Sequence, residues 1–127
     1  MSEICLPWNI YDDRCPTRDV LARLADKWAL LVLGRLESGP MRFNNLRREI
    51  RGISQKMLTQ TLRKLERDGL VSRKAFPTVP VTVEYCLTHL GRTLTDTVTI
   101  LAGWVKDNIQ AVQAAQVRFD RENQGEK

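Results

Sequence analysis

Residues 54–69 read SQKMLTQTLRKLERDG, and this stretch decides the fold. Leu58, Leu62 and Leu65 recur at i, i+4 and i+7, the spacing of a single apolar stripe on a helix. Ser54 stands where an N-cap is needed, and Gly69 stops the helix after about Asp68. Facing the core with the leucines turns Gln55, Lys56, Thr59, Gln60 and Arg63 outward. Glutamine can pair bidentately with adenine, lysine and arginine reach guanine acceptors, and threonine offers a hydroxyl and a methyl to thymine. No carboxylate shares that face; Glu66 and Asp68 lie toward the far end. A face that only meets water more often mixes both signs, so base reading is favoured over a solvated surface.

The flanking segments give that helix its setting. Upstream, a short helix follows Met41-Arg42-Phe43, with Phe43, Leu46 and Ile50 inward and Arg47 and Arg48 outward, and Gly52 breaks it. Before it, a helix from Lys27 to Ser38 carries Trp28, Leu31, Val32 and Leu36 at core spacing and ends at Gly39-Pro40. Earlier still, Thr17 caps a helix with apolar positions Val20, Leu21 and Leu24. Downstream, strands Leu70–Phe76 and Val81–Leu87 flank Pro77-Thr78-Val79-Pro80, with Val81, Val83, Tyr85 and Leu87 on one strand face. Thr88 then caps a last helix running to about Phe119. Two short helices around a glycine turn, followed by a basic hairpin, make a mainly α winged helix-turn-helix with a small β-hairpin wing.

The expected organisation is an arm over 1–14, the winged domain with its C-terminal helix over 15–119, and a frayed tail over 120–127. In the arm Ile4, Leu6, Trp8 and Ile10 alternate, but Pro7 argues against an inner strand.

Composition narrows the function. The 127 residues suit one domain, and 43% hydrophobic with 28% charged content is ordinary for a globular protein. The longest apolar run, Trp28 to Leu33, is far short of a bilayer span, and no basic region precedes an apolar signal core, so a cytoplasmic location is expected. A single His (His89) and three Cys without a CxxC pair exclude a structural metal site, and no cofactor motif is present. The same scarcity of nucleophile–base sets and paired carboxylates argues against an enzyme, a thiol peroxidase using Cys15 included. Charge distribution points elsewhere. From Arg42 to Lys74 there are ten Lys/Arg against three Asp/Glu, so the whole positive excess of a chain with net charge +5 lies in that segment. A polyanion, double-stranded DNA, is the expected partner. A winged helix that binds only protein would instead present an acidic or apolar recognition face.

Other residues fit phosphate contacts, which fix position without reading sequence. They are Arg42, Asn44, Asn45 and Arg48 before the key helix, Ser54 at its amide-rich start, and Arg73, Lys74 and Thr78 in the wing. For each of these taken singly, an ordinary surface position is an equal reading.

The run from Met41 to Arg73 (MRFNNLRREIRGISQKMLTQTLRKLERDGLVSR) resembles the HxlR family. So do PVTVEYCLTHLGR from Pro80, the Cys15-Pro16 dipeptide and Lys27-Trp28. The similarity extends over about residues 15–105. Asp26 and Val105 depart from the family pattern, each standing where glycine is commoner. The resemblance implies a dimeric winged-helix transcriptional regulator, and several members respond to electrophiles, quinones, aldehydes or oxidants.

Two further expectations concern assembly and control. The last helix carries Leu90, Leu94, Val98, Leu101 and Val105 on one stripe with Ile100, Trp104 and Ile109 beside it, too broad for one small domain to cover. One edge is expected on Trp28 and Leu31. The other, through Leu94, Val98, Leu101, Trp104 and Val105, is expected against a second copy, matching a palindromic DNA site. Cys15 precedes a helix start, where free amides favour a thiolate; Arg14 and Arg18 reinforce this and Asp12 and Asp13 oppose it. A half-buried packing role is an equal reading on these residues. The resemblance adds that this position holds the reactive thiol in some members. A disulfide between subunits or with Cys5, which lies on the arm, is then expected to change DNA affinity; Cys86, on a strand face with Glu84 and Thr88, is less suited. The sequence identifies neither an inducer nor the direction of regulation.

Overall fold

A computed structural model describes residues 9–124. Helix α1 (Pro16–Leu24) starts two residues earlier than Thr17 capping implies, because Pro16 takes the first helical position and Cys15 the N-cap, without a side-chain capping bond. None of its residues is buried: of the apolar positions, Val20 and Leu21 are 39% and 49% exposed, and only Leu24 reaches the core. Helix α2 (Lys27–Leu36) is capped by Asp26, whose carboxylate accepts the Ala29 N–H at 3.1 Å. That capping bond gives a physical reason for the departure at Asp26, since glycine has no side chain to cap with. Helix α2 buries Ala29, Val32, Leu33 and Leu36, and Trp28 packs against the core; Val32 and Leu36 face inward as expected, whereas Leu31 is exposed and Leu33 takes its place.

Next come a two-residue strand, β1 (Met41–Arg42), and helix α3 (Phe43–Glu49). Leu46 and Ile50 are buried and Phe43 packs on the core, as the spacing requires. An ion pair between Arg35 and Glu49 ties α3 to α2. At Gly52 (φ +94°) the chain turns into helix α4 (Gln55–Arg67), whose first turn is capped by Ser54 accepting the Met57 N–H at 3.0 Å. Leu58, Leu62 and Leu65 are 0–3% exposed. Each such side chain stabilises the fold by ~1.5–3 kcal/mol relative to remaining in water. Helix α4 ends at Gly69 (φ +80°), a backbone conformation open to glycine. There Arg23 of α1 donates a two-pronged bond to Asp68 at 2.8 and 2.9 Å, fixing α1 across the end of α4.

Strands β2 (Val71–Phe76) and β3 (Thr82–Leu87) form the antiparallel wing, in register from Val71 opposite Leu87 to Phe76 opposite Thr82. The sheet has three strands in the order β1-β3-β2, because Met41 and Arg42 pair with Tyr85 and Glu84. The central strand β3 therefore shows no simple in–out alternation. Val81 lies before it and is 66% exposed, against the shared face expected for it.

Helix α5 (His89–Glu122) is 34 residues long. Thr88 caps it by accepting the Gly91 N–H at 3.0 Å and also donates to the Gly69 carbonyl at 2.6 Å. Gly91 lets the helix lie against the β2 entrance: a Cβ there would be 2.1 Å from the Leu70 carbonyl oxygen. Only Gly91, Thr95 and Val98 of α5 are buried. Thr99 bonds Glu37 at 3.4 Å, which puts the docked part across the C-terminal end of α2. Of the expected inward contacts, Leu31 is 47% exposed, whereas Trp28 packs against the core, with its ring edge near Gly52.

Candidate nucleic-acid interface

Helix α4 presents its polar face as expected. Gln55, Lys56, Thr59, Gln60 and Arg63 are all exposed and line one shallow surface depression. The buried leucines hold this face in place, and the Ser54 cap satisfies one amide of the first turn, leaving neighbouring amides directed outward. Among the described residues no carboxylate lines that depression.

The remaining sequence-selected residues surround it unevenly. Arg42, Asn44 and Arg48 are exposed on β1 and α3, and Asn45 is engaged by the Arg48 guanidinium, so those two act as one unit. Arg42 lies opposite Glu84 in the sheet, and so does Lys74 from the other side. Successive strand residues point to opposite faces, so Arg73 and Lys74 do not act together. Lys74 covers the Phe76 ring on the outer face, 5.1 Å from its centroid. Arg73 faces inward, toward the C-terminal half of α4. Thr78 lies in the exposed connection and donates to the Pro80 carbonyl at 2.8 Å.

A second, deeper cleft opens between α4 and the wing. Thr59, Leu62, Arg63, Glu66, Arg67, Arg73 and Tyr85 line it. The sequence reading selected Arg63 and Arg73 but not Arg67 or Tyr85. Arg67 follows Arg63 at i+4, a signal legible in the sequence; Tyr85 is legible only as one residue of an apolar strand face, and the sheet register is what shows it opposite Arg73. Burial raises the Tyr85 pKa above its ordinary value, with nearby Glu66 adding to the effect and Arg73 opposing it. The phenol is therefore a hydrogen-bond donor at neutral pH.

The surfaces reserved for assembly and control are placed as follows. Leu101, Trp104 and Val105 are 48%, 56% and 45% exposed, whereas Val98 is buried and Leu94 is half-buried against the core. The candidate dimer set thus divides at Val98 into docked and uncovered parts. Cys15 is 1% exposed and disulfide-bonded, while the Cys86 thiol lies 3.1 Å from the Ser72 hydroxyl. Cys5, with Ile4, Leu6 and Trp8 of the arm, lies outside the described residues. Among the described residues no His/Cys/Asp/Glu group could hold a metal ion, and no helix is long and apolar enough to cross a membrane.

Residues 23–113 match the family described as HxlR-like helix-turn-helix. The chain belongs to that family. HxlR-like relatives include an HTH-type transcriptional regulator, YtfH of Escherichia coli (strain K12), 44% identical over 108 residues, or 85% of this chain and 86% of YtfH. The solved transcriptional regulator ytfH from Salmonella typhimurium is 42% identical with a TM-score of 0.80, covering 85% of this chain and 96% of that one. The oxidized form of the redox regulator HypR is 40% identical with a TM-score of 0.69, covering 74% of this chain and 97% of that one. This HxlR-like chain is thus a winged helix-turn-helix protein of transcription regulation, in a family of regulators rather than enzymes.

Proposed function

We propose that the protein is a sequence-specific regulator that binds a palindromic double-stranded DNA site as a homodimer, with Cys15 as its thiol switch. The observation that carries the DNA reading is the exposed, carboxylate-free face of α4. In this reading Gln55, Lys56, Thr59, Gln60 and Arg63 read base edges in the major groove. Ser54, Arg42, Asn44, Asn45, Arg48, Arg73, Lys74 and Thr78 hold the backbone. The uncovered apolar stripe of α5 at Leu101, Trp104 and Val105 supports self-association, and two-fold symmetry then spaces the two α4 helices for two half-sites.

The disulfide state of Cys15 supports the switch, together with its place at the start of α1. A helix with no buried residue and an exposed apolar side at Val20 and Leu21 is suited to pack on a second copy. Reduction or oxidation at its first turn then alters how the two halves are held, and through them DNA affinity. HypR, named a redox regulator, lends support by similarity.

The test is fluorescence anisotropy with the duplex upstream of the protein's own gene, using reduced and diamide-treated protein. Gln60→Ala and Arg63→Ala are each expected to weaken binding by ~1–3 kcal/mol on the specific duplex. Unchanged affinity in both folded variants removes α4 as the reading helix. A redox response that persists in Cys15→Ser removes the switch and leaves the regulator.

A further inference from the structure

We infer that the cleft between α4 and the wing is a phosphate clamp, in which Arg67 and Arg73 with the Tyr85 hydroxyl hold one DNA backbone phosphodiester, beside the base-reading Arg63 that lines the same cleft. The inference rests on the DNA reading above and adds Arg67 and Tyr85 to it. Three guanidinium groups line one cleft, two from successive turns of α4 and one from the inner face of β2. None of the three has an ion-pair partner within 4.0 Å among the described residues, in contrast to Arg23 on Asp68 and Arg35 on Glu49. Arginine left without a carboxylate and converging from two elements suits a tetrahedral oxyanion, which accepts several charge-assisted bonds at once. Tyr85 lies directly across the ladder from Arg73 and contributes a neutral donor. The location fits a duplex: the cleft adjoins Thr59 and Arg63 of the reading face, so a strand leaving the major groove beside α4 passes over it.

Glu66 lines the same cleft and opposes an anion. Its presence makes the inference sharply testable, because its removal must act in the opposite sense to removal of the arginines. It also gives the clamp an electrostatic limit, with three positive groups against one negative.

The experiment measures anisotropy titrations at several salt concentrations on two duplexes, one selected by the wild-type protein from random oligonucleotides and one scrambled. Arg67→Ala is expected to weaken binding about tenfold on both duplexes and to flatten the salt slope by about 0.9. Tyr85→Phe should weaken both to a smaller, equal degree, and Glu66→Gln should tighten both. An Arg67→Ala loss confined to the selected duplex, an unchanged salt slope, or weaker binding by Glu66→Gln overturns the clamp. Inorganic phosphate at matched ionic strength is expected to displace the duplex slightly better than chloride, and this excess should vanish in Arg67→Ala; an excess that persists in Arg67→Ala places the anion elsewhere and overturns the clamp. Wild-type protein that binds neither duplex removes the underlying DNA reading, an outcome distinct from failure of the clamp alone.

Discussion

Helix α4 and the outer half of α5 share one pattern and meet different fates. Both repeat apolar residues every three or four positions. In α4 the stripe closes on the chain's own core, where Leu58, Leu62 and Leu65 are almost fully buried. In α5 the stripe continues past Val98 with no covering surface, and Trp104 and Ile109 stay 56% and 40% exposed. Periodicity specifies that a face must be covered; it does not specify by what. One stripe stabilises the fold, and the other is available to an assembly.

Substitutions can break this contrast at either end. Leu62→Ala should be the most damaging, costing ~2–5 kcal/mol of folding stability as read by urea denaturation, because its side chain is only 1% exposed and truncation leaves a cavity. Trp104→Ala should lower dimer affinity by ~2–4 kcal/mol in sedimentation experiments while circular dichroism at high protein concentration stays unchanged. A Trp104→Ala protein that unfolds instead would show the outer stripe to be part of the core. Between the two regions stands Gly91, where a methyl group meets the Leu70 carbonyl. Gly91→Ala should cost ~1–3 kcal/mol by overpacking, so its thermal transition should fall while dimerisation of the folded fraction persists. The smallest effect belongs to Ser54→Ala, at about 1 kcal/mol, from losing the bond to the Met57 N–H. Its stability loss should be accompanied by weaker duplex binding, since the first turn of α4 loosens; a Ser54→Ala protein with unaltered affinity would separate the cap from the reading face.

The same contrast explains what the sequence made legible. The core face of α4, its Ser54 cap, its Gly69 stop and the Thr88 cap of α5 were all readable, because each depends on neighbours a few positions away. Strand β1 was not. Two residues have no period, and Met41-Arg42 is a strand only because β3 lies beside it. Val20 and Leu21 are legible as apolar positions of α1, yet local spacing holds no information on whether that face meets its own domain, and both are exposed. The displacement of the α2 stripe from Leu31 to Leu33 has a similar origin: both positions are leucine, and tertiary packing decides between them. Among the candidate DNA contacts, the exposed set on α4 was legible, but the opposed directions of Arg73 and Lys74 required the register of the hairpin.

Helix α5 runs without interruption from the sheet to Glu122, so residues 99–122 project roughly 36 Å beyond the last buried turn. In the proposed dimer such a rod acts as a caliper. Each residue added to it between Val98 and Leu101 advances everything beyond by about 1.5 Å and swings it by about 100°. Related proteins could therefore match operators of different spacing by changing the length or phase of this rod, with every base-reading side chain left as it is.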